Sequence, residues 1–337
     1  MTSKATPLTS FFEEKNAQFI EIYGVLVPLR FESVGEEYQA ARETTLVCEG
    51  GHRSLIRIKG ADVFDFLQRI LCSDLKELEN KPSQASAMLD QKGHFIAELD
   101  LHRMPNTKNS WDLIIDTPYS SEKKLMDKLS LYKFAEDVEW EILSWSRVRV
   151  IGKHIVCKNA IHKIERADCG LPCKEYFFEK GSEVSGLTEI LNNEGTVLGG
   201  WVAQDILRVE SNISLFEADF NSDFTLPAAN HWHRASLDKG CYAGQEVLAR
   251  INTYGEAPKQ LCPIRFDGDP IPMHNAKIYD INGKEVGLVS SWVFSPIHDQ
   301  PCAFGYLRKK AIRSGEKLLA KLGDVSRECY VVSQDSK

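Results

Sequence analysis

The sequence predicts an α+β protein in which a large mixed body is followed by a small C-terminal β-barrel. Three observations predict it. The chain up to residue 151 reads as strand, helix, hairpin, strand and helix, an order closer to a split βαβ layout than to a doubly wound sheet. No glycine-rich turn links a strand to a helix in the dinucleotide pattern, so a Rossmann reading has little support. From about Tyr254 the texture changes, and Pro258, Pro263, Pro270 and Pro272 punctuate short alternating runs.

Each element has its own warrant. The first dozen residues are rich in Ser and Thr and read as frayed, which sets residues 1–20 apart. Glu36 to Thr44 reads as a short charged helix. Ser54 to Lys59 alternates like a strand, closed by Gly60. Asp62 then stands as an N-cap before a helical apolar face of Val63, Phe64, Phe66, Leu67, Ile70 and Leu71. Ala85–Leu89 and His94–His102 flank a turn in which Gly93 can take positive φ. Trp111–Asp116 is a third strand, Ser121–Tyr132 an amphipathic helix carrying Leu125, Met126, Leu129 and Tyr132 on one side, and Val138–Ile151 one more alternating run. In the last part, Leu261–Phe266, Lys277–Tyr279, Glu285–Val289, Lys317–Lys321 and Arg327–Val332 are barrel strands. The boundary falls near residues 254–260, giving a body over 21–255 and a barrel over 256–337.

The bulk numbers bound the function. At 337 residues the chain is long enough for two or three domains, at roughly one per 150 residues. A chain of that size buries roughly 75% of its unfolded surface and needs no staples. Forty-one basic against 48 acidic residues give a net charge of −7, which disfavours a broad nucleic-acid face yet leaves room for a local basic pocket. No apolar run reaches the length of a membrane span, and Met1–Asn16 lacks the basic and apolar segments of a secretory signal. The same segment has no Arg and carries Glu13 and Glu14, against a mitochondrial presequence, so the cytoplasm is expected. Nine cysteines, an odd and scattered set, fit free thiols in a reducing compartment.

The most informative segment is Lys239-Gly-Cys-Tyr-Ala-Gly-Gln-Glu-Val-Leu-Ala-Arg250. Gly240 and Gly244 bracket a thiol in a tight turn, and good helix formers begin at Gln245, with Glu246 placed where the helix dipole favours an acid. A cysteine just before a helix start and two residues from a lysine has its thiolate stabilised. Spacing alone leaves the alternative of a small buried hydrophobe open.

This segment resembles the K-G-C-Y-x-G-Q-E-x-x-x-R signature of YgfZ-type proteins, relatives of the glycine-cleavage T-protein, at every specified position. The resemblance runs through Tyr23–Pro28, Glu37–Arg42, Ile58–Leu67, Cys72–Asp74, Gly287–Ser291, Ser295-Pro296 and Ala303–Tyr306, covering roughly residues 20–335 in order. It implies a T-protein-like body of two interwoven α+β parts and a C-terminal barrel. It also implies tetrahydrofolate, or a one-carbon derivative, as cofactor, with Cys241 and Lys239 as the functional pair. Asp205-Ile-Leu-Arg-Val-Glu210 is similar to the family's "L-R-x-E" strand, whose glutamate binds the pterin; a carboxylate can accept two parallel N–H bonds from such a ring edge. The implied folate set is Glu210, Arg208, Tyr242, Gln245 and Arg250. Arg208 serves equally well as a charge partner, and Arg250 either meets the folate tail or ends its helix.

The implied role is a folate-dependent helper in assembly or repair of iron–sulfur clusters, with iron–sulfur clients or assembly proteins as partners and any effect on tRNA modification indirect, without direct nucleic-acid or membrane contact. The alternative is a folate-dependent aminomethyltransferase or demethylase. T-proteins carry an Asp-Asp pair after a Gly-Gly turn, where this chain offers Ala97-Glu98. The longer arm of Glu98 would misplace a proton by about 1 Å, which is costly. No resident metal is expected: Cys169-x₃-Cys173 has no second pair at metal spacing and reads as a loop with incidental thiols, and His231-Trp-His233 lacks a third ligand. Phe216, Phe220, Phe224 and Trp232 read as packing aromatics rather than base-stacking ones, with the alternative that a pterin stacks on one of them.

Overall fold

Alternation along each strand sorts side chains onto two faces, and that sorting sets the architecture of this chain. The computed structural model describes residues 3–104, 111–153, 155–255 and 257–332. The chain divides into two compact units. One comprises Met1–Asp90, Ile96–Leu207 and His233–Ala243; the other comprises Gln91–Phe95, Arg208–Trp232 and Gly244–Lys337.

In chain order, α1 (Thr9–Glu14) precedes the hairpin of β1 (Gln18–Ile22) and β2 (Val25–Arg30). α2 (Val34–Glu43) starts on Ser33, whose hydroxyl accepts the Glu36 N–H. β3 (Thr45–Glu49) and β4 (Arg53–Gly60) lead to α3 (Val63–Ile70). Next come β5 (Ser83–Leu89), β6 (Phe95–Arg103), β7 (Trp111–Pro118) and α4 (Tyr119–Tyr132). Gly93, at φ 79°, makes the turn between β5 and β6 in a conformation that suits glycine. β8 (Glu139–Ile142), β9 (Ser146–Gly152), β10 (His162–Arg166) and β11 (Cys173–Phe178) follow, then α5 (Glu183–Leu191), β12 (Thr196–Gly199) and α6 (Trp201–Glu210).

The first unit holds two five-stranded sheets, ordered β10-β11-β9-β3-β12 and β5-β6-β7-β4-β8, with β12 parallel to β3. One face of the second sheet, through Ile56, Ile58, Leu99, Leu113 and Ile115, packs on Phe66, Leu67, Leu125 and Leu129 of α3 and α4. One face of the first sheet, through Val47, Val148, Val150 and Phe178, packs on Phe12 of α1 and on Leu187 and Ile190 of α5. The remaining faces turn toward each other, meeting through Leu55, Ile114, Ile164 and Phe177 and through a set of charged side chains.

In the second unit, α7 (Gln245–Tyr254) precedes β13 (Lys259–Phe266), β14 (Lys277–Tyr279), β15 (Glu285–Ser295), β16 (Gln300–Arg308), α8 (Lys309–Ser314), β17 (Leu318–Leu322) and β18 (Val325–Val331). The six strands close into a barrel in the order β13-β16-β15-β14-β17-β18. Ile264, Phe266, Ile278, Val289, Leu307 and Leu318 fill it. Gly287 is there because the strands approach closely: a Cβ would sit 2.5 Å from the Tyr306 carbonyl oxygen. The α+β body and the barrel are as expected, and position 256 of the expected boundary region lies outside the described residues.

Four expectations need correction. The segment from Leu8 to Glu14 is not frayed, since it holds α1 and buries Leu8 and Phe12 in the core. Val138–Ile151 is two strands in two sheets, because the chain changes sheet at Leu143–Trp145, a switch that alternation alone does not register. Asp205–Glu210 is helix, not strand: Ala203, Ile206, Leu207 and Glu210 are buried at helical spacing, visible only when the window reaches back to Trp201. Asp62 occupies the N-cap position of α3 without a side-chain cap bond, and its carboxylate accepts the Asp137 N–H instead.

Candidate functional site

The segment around Cys241 is fastened on both sides. Upstream, the Arg234 guanidinium binds the carbonyls of Ser86 and Leu99 and the carboxylates of Glu98 and Asp100, and the Ser236 N–H donates to the Cys72 carbonyl at 2.8 Å. The buried Lys239 ammonium donates to the carbonyls of Leu71 and Ser73 at 2.7 and 2.8 Å, capping the end of α3 with a cation where the helix dipole favours one. Burial pulls Lys239 down to about 8. Tyr242 is buried, its hydroxyl donates to the Ser236 carbonyl at 2.9 Å, and Lys239 lies 5.3 Å from its ring centre.

Between these two anchors Cys241 projects outward. All nine cysteines lie among the described residues, and Cys241 is the exposed one. Gly244, at φ 84°, forms the N-cap of α7, so the helix begins at Gln245, four residues after the thiol. Gly240 is different: its φ lies outside the left-handed region and a Cβ would meet nothing within 4 Å. Packing therefore gives no reason for glycine there. Gln245 is half-buried and Arg250 exposed on α7.

The second unit holds Arg208 and Glu210, the last residues of α6. Glu210 is 9% exposed, and its Oε1 accepts the Ser295 hydroxyl at 2.6 Å. Arg208 donates to Asp219 at 2.7 Å, to Ser291 Oγ at 2.6 Å and to the Ile213 carbonyl at 3.0 Å. Asp219 accepts in turn from Ser290 Oγ and the Ser291 N–H. The serines of the Gly287–Ser295 stretch thus hold the end of α6, and Arg208 is a charge partner of Asp219. Phe95, Phe216 and Phe220 pack on one another and on His231, while Phe224 lies 4.4 Å from Tyr306, so these rings build core.

A third constellation lies between the sheets of the first unit. Five guanidiniums (Arg53, Arg147, Arg149, Arg166 and Arg234) face five carboxylates (Glu98, Asp100, Asp116, Asp168 and Glu175). Asp116, wholly buried, lies 2.7 Å from Arg53, 2.5 Å from Arg166 and 3.1 Å from Arg147. Burial opposes its charge, but the three arginines prevail and hold it well below the usual carboxylate range. Glu98 is gripped by Arg53 at 3.1 Å and by Arg234. Sequence reading missed this cluster. Ser146-Arg-Val-Arg-Val-Ile151 alternates as a strand with a solvated charged face would, and only a second sheet carrying acids turns that face into an interior.

Comparison with known proteins agrees with this architecture. The GCVT N-terminal domain matches over residues 8–152, and the glycine cleavage T-protein C-terminal barrel domain over residues 259–335. The chain belongs to the glycine cleavage T-protein family. Among T-protein relatives, the aminomethyltransferase of Staphylococcus carnosus is 25% identical over 95% of this chain and 94% of its own length. That of Caldanaerobacter subterraneus subsp. tengcongensis is 23% identical over 94% and 91%. The solved aminomethyltransferase T of the glycine cleavage system from Bartonella henselae superposes with a TM-score of 0.88 at 19% identity, over 98% of this chain and 97% of that one, a likeness of fold. Among the described residues no helix is long and apolar enough to cross a membrane.

Proposed function

We propose that this T-protein family member binds a tetrahydrofolate and presents Cys241 as a working thiol, as a YgfZ-type helper in assembly or repair of iron–sulfur clusters in client enzymes. The observation that carries the reading is the position of Cys241: exposed, between two buried anchors, within a segment matching the YgfZ signature. Gly240 supports it, because a glycine with open space beside it lets another molecule approach the backbone closely.

The residues present fit folate in kind. Glu210 is a buried carboxylate whose Oε1 accepts the Ser295 hydroxyl, and a carboxylate is the group that can accept paired N–H bonds from a pterin edge. Arg250 is an exposed cation suited to an anionic glutamate tail. Tyr242 and Gln245 belong to the proposed folate set, and Arg208, bonded to Asp219 and Ser291, fastens the end of α6 on which Glu210 stands. Tetrahydrofolate supplies a nitrogen able to carry a one-carbon unit, and the chain's part is to bind it and to supply the thiol. Lys239, bonded to the carbonyls of Leu71 and Ser73, keeps the thiol segment in place.

Two measurements test the reading. Glu210→Gln is expected to weaken tetrahydrofolate binding by about 1–3 kcal/mol in calorimetry, the scale of a charged hydrogen bond; unchanged affinity removes Glu210 from the site. Cys241→Ala is expected to keep folate affinity while failing to restore iron–sulfur enzyme activity in a deletion strain. Full restoration would end the thiol assignment.

Aminomethyl transfer is the second reading, favoured by the names of the relatives that match along the whole chain. Against it stands Glu98, whose two oxygens are each taken by a guanidinium. Formation of methylenetetrahydrofolate from an aminomethyl donor by the purified protein would establish this second reading.

A further inference from the structure

The hairpin of β10 and β11 ends with Arg166 opposite Cys173, and its loop carries Asp168 and Cys169. A carboxylate oxygen of Asp168 and the sulfurs of Cys169 and Cys173 all lie within 4.8 Å of one another. Such a group admits two chemistries, a bound divalent cation or a dithiol.

Arg149 on β9 decides between them. Its Nη2 lies 2.5 Å from Asp168 Oδ1 and 3.5 Å from Cys173 Sγ, so a fixed positive charge already neutralises the acid and lies against one thiol. A divalent cation would have to share these ligands with a guanidinium, and close like charges in a buried place repel strongly. The same guanidinium favours a thiolate. The Cys173 thiol, hydrogen-bonding to Cys169, and then Arg149 draw the Cys169 thiol down to about 7 against the cost of burial. That bond and burial push Cys173 well up. An ionised attacker beside a protonated second thiol is the arrangement that thiol–disulfide exchange uses.

We propose that Cys169 and Cys173 form a reversible dithiol–disulfide centre, with Cys169 attacking, Cys173 resolving, and a small anionic disulfide of the glutathione type as oxidant. The centre is independent of the folate reading. Cys169 and Cys173 are 3% and 4% exposed, but Ala167, Gly170 and Pro172 around them are open to solvent. A cavity of about 180 Å³ reaches Cys173 and is also lined by Arg166, by the Lys174–Glu165 ion pair and by the exposed Lys153, whose cation suits a carboxylate-bearing reagent.

In the reaction, the Cys169 thiolate attacks one sulfur of the small disulfide. That S–S bond breaks, one small thiol leaves with a proton from solvent, and Cys169 is left in a mixed disulfide. Cys173 then gives up its proton and attacks the Cys169 sulfur, expelling the second small thiol. The two protein thiols are oxidised by two electrons and the small disulfide is reduced to two thiols. Oxidation removes the negative charge of the Cys169 thiolate, which Arg149 favours, and leaves that guanidinium to Asp168 and Glu175, so the redox state reaches the charge cluster between the sheets.

The test uses the full chain carrying Cys241→Ser, which removes the exposed thiol, equilibrated in mixtures of reduced and oxidised glutathione. Free thiols are trapped with iodoacetamide and peptides are mapped by mass. A Cys169–Cys173 cross-link that rises with oxidised glutathione and is reversed by reduced glutathione is the expected result. Adding Cys173→Ser should leave glutathione on Cys169 at a level on the order of tenfold higher, since the resolving step is lost. A chain that shows no cross-link in pure oxidised glutathione overturns the proposal. So does purified protein holding stoichiometric zinc that is released when these two thiols are blocked.

Discussion

Asp116→Ala is expected to destabilise the protein by about 3–5 kcal/mol in urea unfolding, the scale for removing one partner from a buried ion pair. The carboxylate is fully buried and lies within 3.1 Å of Arg53, Arg147 and Arg166. With it gone, five guanidiniums would face four carboxylates across the two sheets. Arg147 would suffer most. Among the described residues its other ion pair is with Glu175, at 3.4 Å, and its guanidinium lies over the Phe177 ring at 5.2 Å. A loss below about 1 kcal/mol would mean that the cluster is open to water and adds no more than a surface pair would.

Iodoacetamide at neutral pH is expected to modify Cys241 at least about a hundredfold faster than Cys72, Cys157, Cys262 or Cys329, because only the thiolate reacts and only this thiol is exposed. Burial pushes Cys72 and Cys157 up to about 11 and Cys262 and Cys329 up to about 12. Such groups hold about 2.5 to 3.5 powers of ten less thiolate than a free thiol near 8.5, before any loss of access. A timed quench with peptide mapping reads the order directly. Labelling spread evenly over all nine cysteines would contradict the exposure on which the thiol reading rests.

Much of the fold was legible because its cues are local. The apolar face of α3, the amphipathic spacing of α4 and the proline-punctuated runs of the barrel each sit within a dozen residues and follow from strand and helix periods. The Cys241 segment was legible for the same reason, its glycines and its thiol being contiguous. The helix ending at Glu210 was misread because Leu207-Arg-Val-Glu210 alternates over four residues by coincidence, and its helical spacing emerges only from Trp201 onward.

What the sequence by itself determined was the order of elements, the α+β class, the barrel and the thiol motif, all products of near-neighbour chemistry. The tertiary structure alone decided which alternating faces meet. Arg147 and Arg149 become interior only because Asp116 and Glu175 come from strands far away in the chain, Lys239 becomes a helix cap only because α3 ends beside it, and the Gly287–Ser295 serines take up Asp219 and Glu210. A charge's partner depends on long-range pairing, and a strand's own alternation is the same whether its polar face meets water or another sheet.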